Sequence, residues 1–190
     1  MSLCKIYFIV DNRYAKQLLL KLIQLFKDYN LVENNIYVSI SNPVNVCDNN
    51  MERYVKGAIS DYDCIVILVD SEGVNPSKVY KRVFDEHVRE VNENLFRVNI
   101  IIAHPCLESW LCEVVDLTNC STGTCNDIIQ ALEPVLERKY TKKTLPVLMM
   151  RKIREKFNMT ESKDKLIQIL PRPLKELIEV INAHCTGNQL

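Results

Sequence analysis

Four short, almost wholly apolar runs alternate with helix-like segments in the first 103 residues, and this order constrains the fold more than any other feature. Each run is long enough for one strand and is rich in β-branched residues, as is typical of strands buried on both faces. Such strands occur in parallel sheets whose helical crossovers cover both faces. We therefore predict an α/β, Rossmann-like fold with a mostly parallel sheet of about four strands and helices on both faces. The predicted strands are 5–10, 36–40, 63–69 and 98–103.

The segments between these runs carry apolar residues at helical spacing. Residues 14–29 form the clearest amphipathic pattern, and shorter helices are predicted over 51–59 and 77–94. Beyond residue 111 no convincing strand follows, so we divide the chain into an α/β core, 1–111, and a helical C-terminal extension, 112–190, packed on it. The helices predicted in the extension lie at about 126–138, 146–157, 161–169 and 172–185.

The overall charge of the chain excludes a strong general attraction to polyanions. Its 190 residues include 24 basic and 24 acidic side chains, so any attraction to nucleic acid must come from local patterning. No run of ~18 apolar residues indicates a membrane span. The first residues lack the apolar core and cleavage site of a signal peptide, so we expect a cytoplasmic protein with no membrane partner.

The eight cysteines include no CxxC pair, so the usual zinc and thioredoxin signatures are missing. Cys4 and Cys64 lie in apolar runs and are expected to be small buried hydrophobic residues. Cys120 and Cys125 flank a flexible loop. A disulfide between these two, a zinc site and free thiols all remain open, with free thiols favoured.

Acidic residues follow three of the four predicted strands. Asp11 comes after the first, Asp70 and Glu72 come after the third, and Glu108 follows the fourth. Since the carboxyl ends of parallel strands meet at one edge of the sheet, these groups are expected to converge. They are costly to ionise together without a cation, and hard divalent ions prefer oxygen ligands. In an extended segment Asp70 and Glu72 would point the same way and could hold one Mg²⁺, although strand-end acids also occur as solvated turn residues.

A family resemblance rests on this pattern and on the segment Ile101-Ile-Ala-His-Pro-Cys-Leu-Glu-Ser-Trp-Leu111. Together they resemble the TOPRIM domain, in particular its RloB-like and OLD-nuclease-related members in prokaryotic defence systems. The resemblance covers about residues 5–111. The sequence departs from the family by having Asp11-Asn12 in place of Glu-Gly and Asp70-Ser-Glu72 in place of Asp-x-Asp. Both departures keep the charge and change the geometry.

The resemblance implies a metal-dependent phosphodiester enzyme, a nuclease acting in defence or DNA processing. Asp70, Glu72 and Asp11 would ligate Mg²⁺ or Mn²⁺, and Asp11 and Glu108 would be catalytic. Apart from the resemblance, His104 follows a buried strand and is a further catalytic candidate, as a proton shuttle near the carboxylates. For His104 the sequence favours a hydrogen-bonded structural role over a proton shuttle. Two alternatives stay open. One is a catalytically silent TOPRIM-like module that binds nucleic acid or a protein partner, and the other is a Rossmann-like nucleotide sensor of the CARF type.

A basic stretch at 138–156 contains eight lysines and arginines and one glutamate. Such a stretch can contact nucleic-acid phosphates, although solvated helix ends give the same pattern. Trp110 is expected to pack the C-terminal helices against the sheet, and His87 and His184 are expected to face solvent. With four glycines and no glycine-rich motif, P-loop and dinucleotide enzymes are disfavoured. The proposed nucleic-acid contacts are Lys142, Lys143, Arg151 and Lys152.

Overall fold

The computed structural model describes residues 3–45, 48, 50–137, 139–158 and 162–185, without the side chains of 92–94, 163 and 164. Its centre is a four-stranded, all-parallel sheet with strand order β2-β1-β3-β4. The α/β fold with a parallel sheet is therefore confirmed, and the predicted strands agree with the structure to within one residue at each end. The strands are β1 (Cys4–Val10), β2 (Ile36–Ile40), β3 (Cys64–Asp70) and β4 (Val98–Ala103).

The predicted helices are present with small shifts in their ends. The segment expected to be one helix over 77–94 is helical throughout but changes type, from α3 to a π-helical turn (Phe84–Val88) and then a 3₁₀ segment (Arg89–Arg97). A further 3₁₀ turn, Lys142–Thr144, precedes α6. The α-helices are α1 (Arg13–Asp28), α2 (Asn50–Ala58), α3 (Pro76–Val83), α4 (Glu108–Val114), α5 (Cys125–Leu136), α6 (Leu145–Phe157), α7 (Lys163–Ile169) and α8 (Arg172–Cys185).

Alternate side chains of the central strands enter two separate hydrophobic cores. Phe8 and Val66 face a large core that includes α1 and the helices after β4. Ile9 and Ile67 face a smaller core formed with α2 and α3. This period of two is the geometry of a strand buried on both faces, and it explains why the strands are continuously apolar.

The helices of the predicted C-terminal extension share the larger core with β1 and β3. The proposed boundary at residue 111 lies inside α4. Trp110 is fully buried in this core, which confirms the expected packing role, and its indole Nε1 has no hydrogen-bond partner among the described residues. Within the part of the chain that the structure describes, no helix combines the length and apolar character needed to cross a membrane.

Two expectations for histidines need correction. His87 is only 5% exposed because its π-helical turn faces the smaller core, so the predicted solvent-facing position is wrong. His184 is partly buried, and its Nε2 lies 3.2 Å from Nδ2 of Asn99 on β4. The polar sequence around His87 and the position of His184 near the C-terminus do not indicate this burial.

Among the described residues six cysteines form three disulfide bonds, so the free thiols favoured for Cys120 and Cys125 and the disulfide considered between them are both wrong. Cys120 lies in the connection between α4 and α5 and bonds back to Cys112 on α4, whereas Cys125, the first residue of α5, bonds to Cys106 just before α4. Cys64 is buried and free, as expected, whereas Cys4 is buried and disulfide-bonded. Cys47 lies outside the described residues. The three disulfides are Cys4–Cys185, Cys106–Cys125 and Cys112–Cys120, with Cα–Cα distances of 5.4, 5.9 and 5.6 Å.

Candidate metal centre

Asp11 occupies a fixed position directly after β1. Its Oδ2 accepts a hydrogen bond of 2.9 Å from the backbone N–H of Asp70, and its Oδ1 accepts one of 2.7 Å from the side chain of Asn12. Asn12 is also the N-cap of α1, since its Oδ1 accepts from the N–H groups of Tyr14 and Ala15 at 3.0 and 2.8 Å. The residue that replaces the glycine of the resembled family therefore both starts the helix and orients Asp11.

Asp70 is the last residue of β3 and lies next to the segment that follows β4. Its Oδ1 accepts a hydrogen bond of 3.0 Å from the backbone N–H of Leu107, the residue before Glu108. Together with the bond to Asp11, this contact joins the carboxyl ends of three chain segments at one point. Asp11, Asp70 and Glu108 therefore lie at the same edge of the sheet and interact electrostatically, and we call them the carboxylate cluster.

The pKa values of Asp70 and Asp11 show that the nearby positive charge does not balance the negative charges of the carboxylate cluster. Burial raises the pKa of Asp70 to about 8, the negative charges of Asp11 and Glu108 add to this, and Lys142 opposes it. The pKa of Asp11 is also raised, mainly by burial. A bound cation would remove this penalty, because it favours the ionised form of each carboxyl group.

Glu108, the first residue of α4, is 2% exposed and is oriented by Tyr140. The Tyr140 hydroxyl donates a hydrogen bond of 3.0 Å to Oε1 of Glu108. Burial and the negative charge of Glu108 raise the pKa of Tyr140, so its hydroxyl keeps its proton and remains a donor. Sequence reasoning missed Tyr140. It lies 32 residues after Glu108, and nothing in the local pattern distinguishes it from a tyrosine that only packs in the core.

Glu72 does not extend the cluster in the way that the sequence suggested. It has φ 51°, and Gly73 has φ 80°. Two successive residues with positive φ form a turn closed by the 2.9 Å hydrogen bond from Val74 N–H to the Ser71 carbonyl. The segment is therefore not extended, and Glu72 is exposed whereas Asp70 is partly buried. Glu72 contributes only a small rise in the pKa of Asp11.

His104 forms a hydrogen bond with the hydroxyl of Ser71. Its Nδ1 lies 2.6 Å from Oγ of Ser71, and it precedes a cis peptide bond to Pro105. The Ser71 hydroxyl is also 3.4 Å from the Pro105 carbonyl. This contact joins the end of β3 to the segment after β4, which is what the structural interpretation of His104 requires.

The four proposed nucleic-acid contacts are divided between two places. Lys142 and Lys143 are exposed on the 3₁₀ turn before α6, and the charge of Lys142 acts on Asp70. Arg151 and Lys152 lie further along α6 and form ion pairs with Glu155 at 3.6 and 2.7 Å.

The course of α6 explains this division. Its last turn lies beside the end of α1, since Phe157 packs against Tyr29 with ring centroids 4.7 Å apart. The helix therefore leads from the carboxylate cluster toward the opposite edge of the sheet. Arg151 stands about 9 Å from the start of α6, at 1.5 Å per residue. Among the four, Lys142 is the one whose charge acts on the cluster.

One further group of possible metal ligands lies beside Glu108. Ligand atoms of Cys106, Glu108 and Cys125 lie within 4.8 Å of one another, and no other such group of three occurs among the described residues. The members of the carboxylate cluster are therefore less tightly grouped than this triad. Sequence reasoning missed Cys106 and Cys125 as a pair, because 19 residues and no metal-binding spacing separate them.

No family model, curated protein or solved structure matches the chain.

Proposed function

We propose that this chain is a divalent-metal-dependent phosphodiester enzyme, a TOPRIM-like nuclease of the type its sequence resembles. The observation that carries the proposal is the position of Asp70, which is coupled to Asp11 on one side and to Glu108 on the other. These side chains lie at the carboxyl edge of a parallel sheet, where ligands bind in open α/β folds.

The donor set of the carboxylate cluster fits Mg²⁺ or Mn²⁺. Its members offer only oxygen atoms, which hard divalent cations prefer, and Mg²⁺ often uses one or two carboxylates and keeps several waters. Asp11 and Asp70 are the residues that would hold the ion, since their backbone contacts fix them beside each other. A bound cation would polarise a phosphoryl oxygen and lower the pKa of a bound water.

The other residues of the site would serve substrate binding and orientation. Lys142 is exposed beside the cluster and supplies a positive charge where a phosphate would approach. Tyr140 keeps Glu108 in place through its hydroxyl. Glu108 is then available as a second carboxylate beside the metal ligands.

A second candidate is the catalytically silent TOPRIM-like module. It is favoured by the hydrogen bonds of Asp11, whose two oxygens each accept one from the protein itself. An acid used in this way can serve the structure alone. Such a module would bind the metal or a nucleic acid but would not cleave the nucleic acid.

Calorimetric titration with Mn²⁺ tests the metal site. We expect the wild type to bind Mn²⁺, and Asp70→Asn to bind it at least ten-fold more weakly. Glu72→Gln is the matched control, because it removes an exposed carboxylate of the same loop, and it should bind as the wild type does. Circular dichroism of each variant establishes that it is folded.

Nicking of supercoiled DNA and cleavage of RNA in Mn²⁺ then separate the two candidates. Cleavage by the wild type that is lost in Asp70→Asn supports the nuclease. Metal binding without cleavage of either polymer favours the silent module. A wild type that binds no Mn²⁺ overturns the metal-dependent function and favours the nucleotide sensor.

A further inference from the structure

We propose that the reduced chain binds one zinc ion through Cys106, Cys125 and Glu108. This site shares Glu108 with the carboxylate cluster, but it goes beyond the proposed function because its other two ligands are thiolates and because it requires neither Asp11 nor Asp70. In the oxidised chain the same two cysteines form a disulfide, so oxidation removes the site.

Two of the three ligands are joined in the disulfide Cys106–Cys125, and the carboxylate of Glu108 lies beside them. Their sulfur and oxygen atoms are within 4.8 Å of one another. Cys106 is 1% exposed and Glu108 is 2% exposed, and Cys125 is partly buried. A zinc ion requires only small side-chain movements to reach three ligands grouped this closely, since zinc–sulfur and zinc–oxygen bonds are about 2.0–2.3 Å long.

The backbone that carries the ligands is held by contacts other than the disulfide. The Cys106 carbonyl accepts hydrogen bonds from the Ser109 N–H at 3.0 Å and the Ser109 hydroxyl at 2.7 Å. Cys125 begins α5, where Thr124 and Asp127 form a reciprocal capping box. Glu108 is held by Tyr140. Reduction of the disulfide therefore leaves the ligands close to their present positions.

The ligand chemistry favours zinc over Mg²⁺. Thiolates are soft ligands that bind zinc in tetrahedral geometry, whereas Mg²⁺ prefers oxygen. Three protein ligands leave the fourth tetrahedral position for water. If the chain lies in the cytoplasm, as its sequence predicts, the cellular thiol pool would keep the two cysteines reduced and able to bind.

The steps that convert the oxidised pair into the zinc site are balanced. A phosphine reductant, tris(2-carboxyethyl)phosphine, gives two electrons to the sulfur–sulfur bond. The phosphine becomes a phosphine oxide with oxygen from water, and the two protons of that water end on the sulfurs. Zinc binding then releases the two thiol protons, so affinity falls at low pH.

Titration of the phosphine-reduced chain with Co²⁺ tests the site, because tetrahedral cobalt thiolates absorb in the near ultraviolet and visible ranges. We expect one Co²⁺ per reduced chain, displaced by one Zn²⁺, and no thiolate band in the oxidised chain. Cys106→Ser and Cys125→Ser should each weaken binding at least ten-fold. The double variant Cys112→Ser, Cys120→Ser is the matched control and should keep the band.

A second measurement on the wild type covers the case in which a serine variant fails to fold. Zn²⁺ should protect Cys106 and Cys125 from iodoacetamide in the reduced chain, as read by peptide mass spectrometry. Asp70→Asn should lose Mn²⁺ binding and keep the cobalt band, which makes this proposal and the proposed function fail separately. A reduced wild type without a thiolate band, or a band unchanged in both single serine variants, would overturn the zinc site.

Discussion

The backbone N–H of Asp70 donates a hydrogen bond of 2.9 Å to Oδ2 of Asp11. This bond joins the last residue of β3 to the residue that follows β1, and it keeps two carboxyl groups close in a partly buried setting. Ionising Asp70 in this position is unfavourable, because burial and the negative charges of Asp11 and Glu108 raise its pKa to about 8.

The stability of the metal-free protein should depend on the titration of Asp70. Its folded pKa of about 8 lies above the ordinary value of 3.8, so the folded state holds the proton more tightly. The stabilisation from the protonated group is present below about pH 4 and is lost as pH rises toward 8. We therefore expect the difference in the free energy of unfolding between Asp70→Asn and the wild type to be larger at pH 8 than at pH 4, in favour of the variant. The change should be at least about 2 kcal/mol, since each pKa unit equals about 1.4 kcal/mol. Urea unfolding in EDTA at both pH values measures this.

The matched control for that measurement is Glu72→Gln, which changes an exposed carboxylate two residues further along the same segment. Its difference from the wild type should be small at both pH values. If Asp70→Asn and the wild type show the same dependence on pH, the raised pKa of Asp70 is wrong.

Removal of the Tyr140 hydroxyl should destabilise the fold. Tyr140→Phe takes the donor from Glu108, which is buried, and a buried polar group without its partner costs about 1–3 kcal/mol. Tyr37→Phe is the control, because Tyr37 is half exposed on β2. Urea unfolding at pH 7 measures the free energy of unfolding of both variants. Equal losses would contradict a stabilising contribution of the hydrogen bond from Tyr140 to Glu108.

The disulfide between Cys4 and Cys185 should stabilise the oxidised chain. It joins β1 to the end of α8 across 181 residues, so it restricts the unfolded chain strongly. We expect the double serine variant to lose about 2–4 kcal/mol, and its Tm to fall by several degrees. Differential scanning calorimetry with and without reductant measures this. If the difference in Tm between the wild type and the double serine variant is as large in reductant as without it, the loss of stability comes from side-chain packing and not from the disulfide.

The two halves of the basic stretch should contribute unequally to nucleic-acid binding, a prediction that rests on the proposed function. Lys142 acts on Asp70, whereas Arg151 and Lys152 are paired with Glu155. Changing Lys142 and Lys143 to alanine should reduce the slope of log K against log salt by about 1.8 for duplex DNA, or about 0.9 per contact. Changing Arg151 and Lys152 should reduce it less.

Filter binding at three ionic strengths measures these slopes. Both double variants should remain folded, since Lys142, Lys143 and Arg151 are exposed, Lys152 is half-buried, and surface substitutions usually change stability by about 0.5 kcal/mol or less. Equal reductions would contradict the division of the basic stretch, and a wild type that binds neither DNA nor RNA would remove the nucleic-acid partner.

The sequence by itself determined the α/β class, the four strands and the α-helices other than α4, and it indicated the edge of the sheet that carries the acids. The reason is that a strand buried on both faces must be apolar throughout, and an amphipathic helix must repeat every 3.6 residues, so local pattern carries this information. It also placed Asp11, Asp70 and Glu108 after the strands, since parallel strands end at one edge.

Only the tertiary structure decided which side chains meet at that edge and how. The positive φ of Glu72 places this exposed residue in a turn rather than in an extended segment, a local conformation that strand periodicity does not encode. Tyr140 reaches Glu108, and Cys106 reaches Cys125, only because the helices after β4 pack against one another. Contacts between residues 19 to 181 positions apart depend on this packing, and no local pattern records it.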